Sequence, residues 1–199
     1  MKKKIFLIFL LIIATLTIFI GYSKTSNVDK IVFNDKDLER AIRKELDKPF
    51  WRNIYLNDVE EIRELEIANK NITDISALSD LTNLEWLSLE GNKITDINAL
   101  SNLTNLEGLR LGYNNIIDIS PLSNLTNLQG LDLANNNITD ISPLSNLTNL
   151  EWLSVVNNNI TDISPLSNLT NLEVLHLSNN NITDFSPLDN LPNRQWITK

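Results

Sequence analysis

The sequence predicts an α/β solenoid: a right-handed array with a parallel sheet on its concave side, short 3₁₀ or helical turns on its convex side, and a helical N-terminal cap. Three observations predict it. A 22-residue unit recurs in phase, opening at Ile62, Leu84, Leu106, Leu128, Leu150 and Leu172. Inside each unit a short apolar/polar alternation precedes a turn-rich stretch. The segment before the first unit lacks the repeat and carries the spacing of an amphipathic helix.

The chain reads in three parts. Residues 1–23 are expected to be a signal peptide or an uncleaved signal anchor. Lys2, Lys3 and Lys4 precede an apolar-rich run from Ile5 to about Tyr22, and Gly21-Tyr22-Ser23 is the best small-residue cleavage site. That run exceeds the ~7–15 residues of a signal core and approaches the ~18 that span a bilayer. By the positive-inside rule the rest of the chain then lies outside. A buried core helix is the alternative, but nothing downstream offers a mate for a helix apolar on every side.

Residues 24–61 are a linker and the cap. Asn34 or Asp35 can start a helix running to about Asp47, with Leu38, Ala41, Ile42 and Leu46 on one face. A second helical piece is expected from Asn57, with Asp58, Glu60 and Glu61 near its positive end.

Residues 62–199 hold six full repeats and a partial seventh from Arg194 to Lys199. The second unit shows the pattern: Leu84, Leu87, Leu89, Asn92 and Ile94 stand in the L-x-x-L-x-L-x-x-N-x-I spacing of leucine-rich repeats. Leu87 and Leu89 alternate with Trp86, Ser88 and Glu90, as in a half-buried strand. Asn92, Asn114, Asn136, Asn158 and Asn180 would stack as a ladder, each amide satisfying backbone groups where the chain turns inward. Lys70 replaces the asparagine in the first unit. Ser120-Pro121 and its equivalents read as Ser N-caps with Pro in the first helical position. Asp74, Asp96, Asp118, Asp140, Asp162 and Asp184 recur singly. One carboxylate per unit suits a turn cap better than a calcium site, which needs several oxygens. One unit cannot bury its apolar face alone, so stability must come from stacking. Beyond Ile197 the sheet edge would be bare, inviting pairing or marking a relative of something longer.

The block at 138–150, Ile-Thr-Asp-Ile-Ser-Pro-Leu-Ser-Asn-Leu-Thr-Asn-Leu, closely resembles the repeats of bacterial internalins, and Val32 to Ile42 resembles their helical cap. The resemblance covers residues 30–199. It implies a curved array, secreted or displayed on a cell surface, that binds host or other surface proteins on its concave side. It does not extend to an immunoglobulin-like domain or a sorting motif, so an invasion role is not implied.

Candidate ligand contacts follow from the strand columns. The third position carries Glu64, Trp86, Gly108, Gly130, Trp152, Val174 and Trp196. The fifth carries Glu66, Ser88, Arg110, Asp132, Ser154 and His176, and the seventh includes Glu90 and Val156; Tyr113 follows at a strand end. Trp86 and Trp152, about 14 Å apart at ~4.8 Å per strand, would form two walls over a floor of Gly108 and Gly130. Aromatic residues and Arg favour interface hot spots; the plainer reading is that these indoles only shield the sheet. Glu85, Glu107, Glu151 and Glu173 form a stripe best read as a solvated rim.

Charge and composition narrow the partner. With 25 acidic and 17 basic residues the net charge is −8, against a nucleic-acid surface. The absence of cysteine removes disulfides and thiolate chemistry. His176, Ser154 and Asp132 share a column, but neighbouring strands of a regular sheet give them no triad geometry. No catalytic residue, metal or cofactor is expected; a protein partner is. The membrane is expected to be touched only through an uncleaved N-terminal segment. A surface glycan adhesin and an intracellular scaffold resembling repeat regulators of a phosphatase stand as alternatives.

Overall fold

The computed structural model describes residues 29–189, 191–192 and 197–198. The expected export segment and Trp196 lie outside the described residues.

The cap begins at Asp35, whose backbone is extended and whose carboxylate accepts from the Asp37 and Leu38 N–H groups at 2.9 and 3.1 Å. These are orphan donors of the first helical turn. Helix α1 runs Lys36–Glu45 and buries Leu38 and Ile42. It stops before the expected Asp47, which turns the chain with a positive φ of 46°. Helix α2, Leu56–Val59, starts one residue earlier than expected, with Tyr55 at its N-cap. Asp58 accepts from the Tyr55 N–H at 2.7 Å and pairs with Lys48. The other Asp35 oxygen accepts from the Thr73 N–H at 2.9 Å and the Thr73 hydroxyl at 3.2 Å. One side chain thus caps α1 and fastens the cap to the first repeat.

Seven parallel strands follow in sequence order: β1 Glu64–Glu66, β2 Trp86–Ser88, β3 Gly108–Arg110, β4 Gly130–Asp132, β5 Trp152–Ser154, β6 Val174–His176 and β7 Ile197–Thr198. The register never slips, so Leu65, Leu87, Leu109, Leu131, Leu153 and Leu175 stand side by side, all buried. Short 3₁₀ segments such as Ser120–Leu122 return the chain on the convex side. One continuous core joins the cap to the last described units.

The turn chemistry of these segments follows the expectation for the recurring aspartates and departs from it for the serines. Ser120 does not cap; Ile119 holds the cap position without a side-chain bond. Asp118 instead accepts from the Ser120 N–H at 2.8 Å and from its hydroxyl at 3.0 Å. The same pair forms at Asp140–Ser142 and Asp162–Ser164. A carboxylate with two free oxygens is the stronger acceptor, so the hydroxyl donates to it. The Ser120 backbone N–H, then its hydroxyl, holds the Asp118 carboxyl below the usual range, and Asp162 and Asp184 are lowered by the same pair of donors.

The inner asparagines bond across units. Asn136 accepts from the Ile116 N–H at 2.9 Å and donates to the Leu111 and Leu133 carbonyls at 3.0 and 3.1 Å. Asn92, Asn114, Asn158 and Asn180 make the equivalent bonds. Each therefore ties its own strand end to the preceding unit. Lys70 takes no part through its side chain; its backbone N–H donates to Asn92.

Candidate functional site on the concave strand face

The third and fifth positions of successive strands pair directly: Trp86 with Gly108, Gly108 with Gly130, Gly130 with Trp152, and Ser88 with Arg110. They form one continuous surface, but not the two-walled slot that spacing alone suggests. A Cβ on Gly108 would lie 1.9 Å from Cε3 of Trp86. The Trp86 indole therefore lies down over Gly108 rather than standing beside it. A Cβ on Gly130 would meet nothing within 4 Å. The floor is thus one glycine wide. The physical reason is that an indole gains contact by covering an adjacent bare backbone, and Gly108 offers it room.

Arg110 completes the first cluster, its guanidinium carbon 5.2 Å from the Trp86 ring centre. This is cation–π distance. Trp86 remains 37% exposed. On the far side of Gly130, Trp152 leans toward His176, with ring centres 6.3 Å apart. The site is thus two aromatic groups, each with a basic or titratable neighbour, separated by an open notch.

The remaining sequence-derived residues surround this centre. Asp132, on the notch strand, is half-buried and turns one oxygen to the Ala134 N–H at 3.0 Å. Ser88 and Ser154 are buried between larger neighbours on adjacent strands and offer little surface. Glu90 and Val156 are half-buried at the strand ends. Glu85, Glu107, Glu151 and Glu173 are exposed at the opposite end, Glu85 lying 3.5 Å from Arg63. Asp132, Ser154 and His176 do fall on successive strands in register. Yet Ser154 is buried, Asp132 bonds its own loop and His176 faces Trp152, so the three form no relay. Among the described residues, no group of three or more potential metal ligands comes together.

The repeat pattern did not reveal one feature of the strand ends. The position before the ladder asparagine, or before Lys70 in the first unit, has a positive φ in all six full units: Asn69, Gly91, Tyr113, Asn135, Asn157 and Asn179. Asparagine and glycine tolerate this conformation; tyrosine does so at a cost. Asn157 donates to Asn135 at 2.7 Å and Asn179 to Asn157 at 2.6 Å, an outer ladder that does not reach Tyr113. Tyr113 is 59% exposed beside the concave face. The residue types in that column were the available signal.

Leucine-rich-repeat family models match residues 60–116, 104–146 and 148–190. The internalin InlF of Listeria monocytogenes is 38% identical over 83% of this chain and 56% of its own, with a TM-score of 0.69. The chain is an internalin-like leucine-rich-repeat protein. Internalin C2 of the same organism is 33% identical, over 82% of this internalin-like chain and 92% of its own, with a TM-score of 0.55. The functional domain of InlJ from Listeria monocytogenes, described as including a cysteine ladder, is 28% identical over 80% of this chain and 35% of its own, with a TM-score of 0.68. This internalin-like chain has no cysteine; asparagines form its ladders. It spans 56% of the InlF chain it matches. No curated protein matches it by sequence.

Proposed function

We propose that this chain is an exported, non-enzymatic binding module that holds a protein partner against its concave strands, centred on the Gly130 notch. The observation that carries the reading is the contrast between two glycines in one column. Gly108 is roofed by Trp86, whereas Gly130 is open between the Trp86–Arg110 and Trp152–His176 pairs. An opening between rigid aromatic anchors can seat one side chain of a partner, the geometry of an interface hot spot. The acidic excess suits a partner with a basic rim. Tyr113, Glu90, Asp132 and Val156 supply the periphery of that contact. Export is supported by Lys2 to Lys4 and the apolar run after them, which also weighs against the intracellular scaffold.

The test is the double substitution Trp86→Ala with Trp152→Ala, scored on proteins captured from host-cell and cell-wall extracts and on glycan arrays. Each indole is expected to contribute about 1–2 kcal/mol, so the pair lowers affinity about 30-fold or more. Unchanged capture by a variant that keeps its fold refutes the concave assignment. Loss confined to the glycan array moves the function to carbohydrate adhesion.

A further inference from the structure

The cap presents a surface of different character. Phe50 and Trp51 are 82% and 72% exposed, and Val32 is 68% exposed. Phe50 and Trp51 meet edge to face, with ring centres 5.0 Å apart. Phe50 lines one dent with Lys30 and Val32, and Trp51 lines a second with Lys48 and Arg52, so these residues form one patch.

The turn that carries the pair is held from below. Arg43 donates to the Pro49 carbonyl at 3.0 Å and the Arg52 carbonyl at 2.7 Å, while Glu39 accepts from its other guanidinium nitrogens at 3.0 and 2.6 Å. Two apolar rings are thus pushed outward by a fixed clamp, with little ordering cost left for whatever they contact. An aromatic pair this exposed is a liability in water alone.

Charge separates this patch from the rest of the molecule. Residues 30–62 carry seven Lys or Arg against eight Asp or Glu, a near-neutral balance, whereas residues 63–189 carry four against sixteen. Lys30, Lys44 and Arg52 have no ion-pair partner among the described residues. Asp47 and Asp58 share the dent of Trp51 and Asp58 pairs with Lys48, so Lys30 and Arg52 are the cations beside the exposed rings that are left to meet an anionic headgroup.

The chain path points the same way. Lys30 bridges to Tyr55, and the Ile31 N–H donates to the Ile54 carbonyl at 3.0 Å, so the N-terminal segment joins the domain beside this turn. Seven Cα steps separate Tyr22, the end of the apolar run, from Asp29, a reach of at most about 25 Å. We propose that the Phe50–Trp51 turn, with Val32, Lys30 and Arg52, is a membrane-surface contact that lays the cap on an anionic bilayer. This inference rests on the reading that the run of residues 5–22 enters that bilayer.

The experiment uses the full chain with vesicles of phosphatidylcholine and phosphatidylglycerol whose acyl chains carry bromine near the headgroup. Bromine quenches indoles at the interface. The wild-type chain is expected to lose up to about a quarter of its tryptophan emission, the share of one indole in four. Trp51→Tyr, a change at an exposed site, should abolish that lipid-dependent loss, whereas Trp86→Tyr should retain it. Vesicles of phosphatidylcholine alone should give about half the quenching or less. Equal quenching in wild type and Trp51→Tyr, or in both lipids, overturns the proposal. A chain that floats with the vesicles but is not quenched overturns the cap contact while leaving the anchor reading intact. A chain that does not float with them overturns both.

Discussion

The inner asparagine ladder and the tryptophan column run along the same sheet, a few residues apart in every unit, and they obey different rules. The ladder repeats one residue because every unit poses the same bonding problem, and Asn92 through Asn180 each close the same backbone groups of the preceding unit. The column reads Glu64, Trp86, Gly108, Gly130, Trp152, Val174, and no backbone bond depends on those side chains. A row set by stacking is uniform; a row freed from stacking is available for a partner. Substitutions in the first should therefore cost stability and in the second should cost binding.

The largest effect is expected at Asn136→Ala. It leaves the buried Ile116 N–H without its acceptor, while the Leu111 and Leu133 carbonyls each lose one of two asparagine donors and keep Asn114 and Asn158, a loss of about 2–3 kcal/mol in a urea titration. Asn180, half-buried at the last full unit, should cost about half as much when changed to Ala. Equal losses would mean that the ladder does not act through burial.

Asp35→Ala removes a helix cap and the tie to Thr73 and is expected to cost about 1–2 kcal/mol. Its pH dependence has a definite sign. Burial alone would raise the Asp35 carboxyl, but N–H donors from Thr73, Leu38, Asp37 and Asp74 outweigh it and hold the group below its ordinary value of 3.8. A carboxyl lowered by folding stabilises above its unfolded pKa and loses that contribution as the pH falls through the folded value. Wild type and Asp35→Ala should thus differ in denaturant midpoint at pH 7 and converge as the pH falls below the ordinary carboxylate value and through the lowered value of the folded state.

In the tryptophan column, Gly108→Ala must displace Trp86, because the new Cβ would sit 1.9 Å from the ring. A cost of about 1 kcal/mol and a red shift of tryptophan emission are expected. Tyr113→Asn should act in the opposite direction. It relieves a left-handed tyrosine at φ 56° and lets the outer ladder extend, raising stability by about 0.5–1 kcal/mol while weakening partner binding. Gly130→Ala is the smallest: with open space around the new methyl, stability should move by less than about 0.5 kcal/mol.

How much was legible follows the same division. The period, the buried leucines and the parallel register were readable because one misplaced residue would turn a whole strand's apolar set outward. The start of α1 was readable from Asp35, and its end was not, because the left-handed residue that closes the helix, with the Lys48 N–H donating back to the Arg43 carbonyl at 2.8 Å, is Asp47 rather than the glycine or asparagine that usually marks such a turn. The aspartate turn caps were readable from one carboxylate per unit, but the serine beside each was given a cap of its own, because spacing alone does not show that the Ser120 hydroxyl donates to Asp118. The tilt of Trp86 was out of reach. Residue identity places an indole in a column, but whether it stands or lies depends on the bare backbone of its neighbour.

The most direct test of the concave assignment compares two leucines on one captured partner. Gly130→Leu fills the notch, and Ser145→Leu alters a half-buried position beside a convex 3₁₀ turn. A concave site centred on the notch predicts that the partner band is lost with the first and retained with the second, both variants remaining folded. A band that survives Gly130→Leu, or disappears equally with Ser145→Leu, contradicts it.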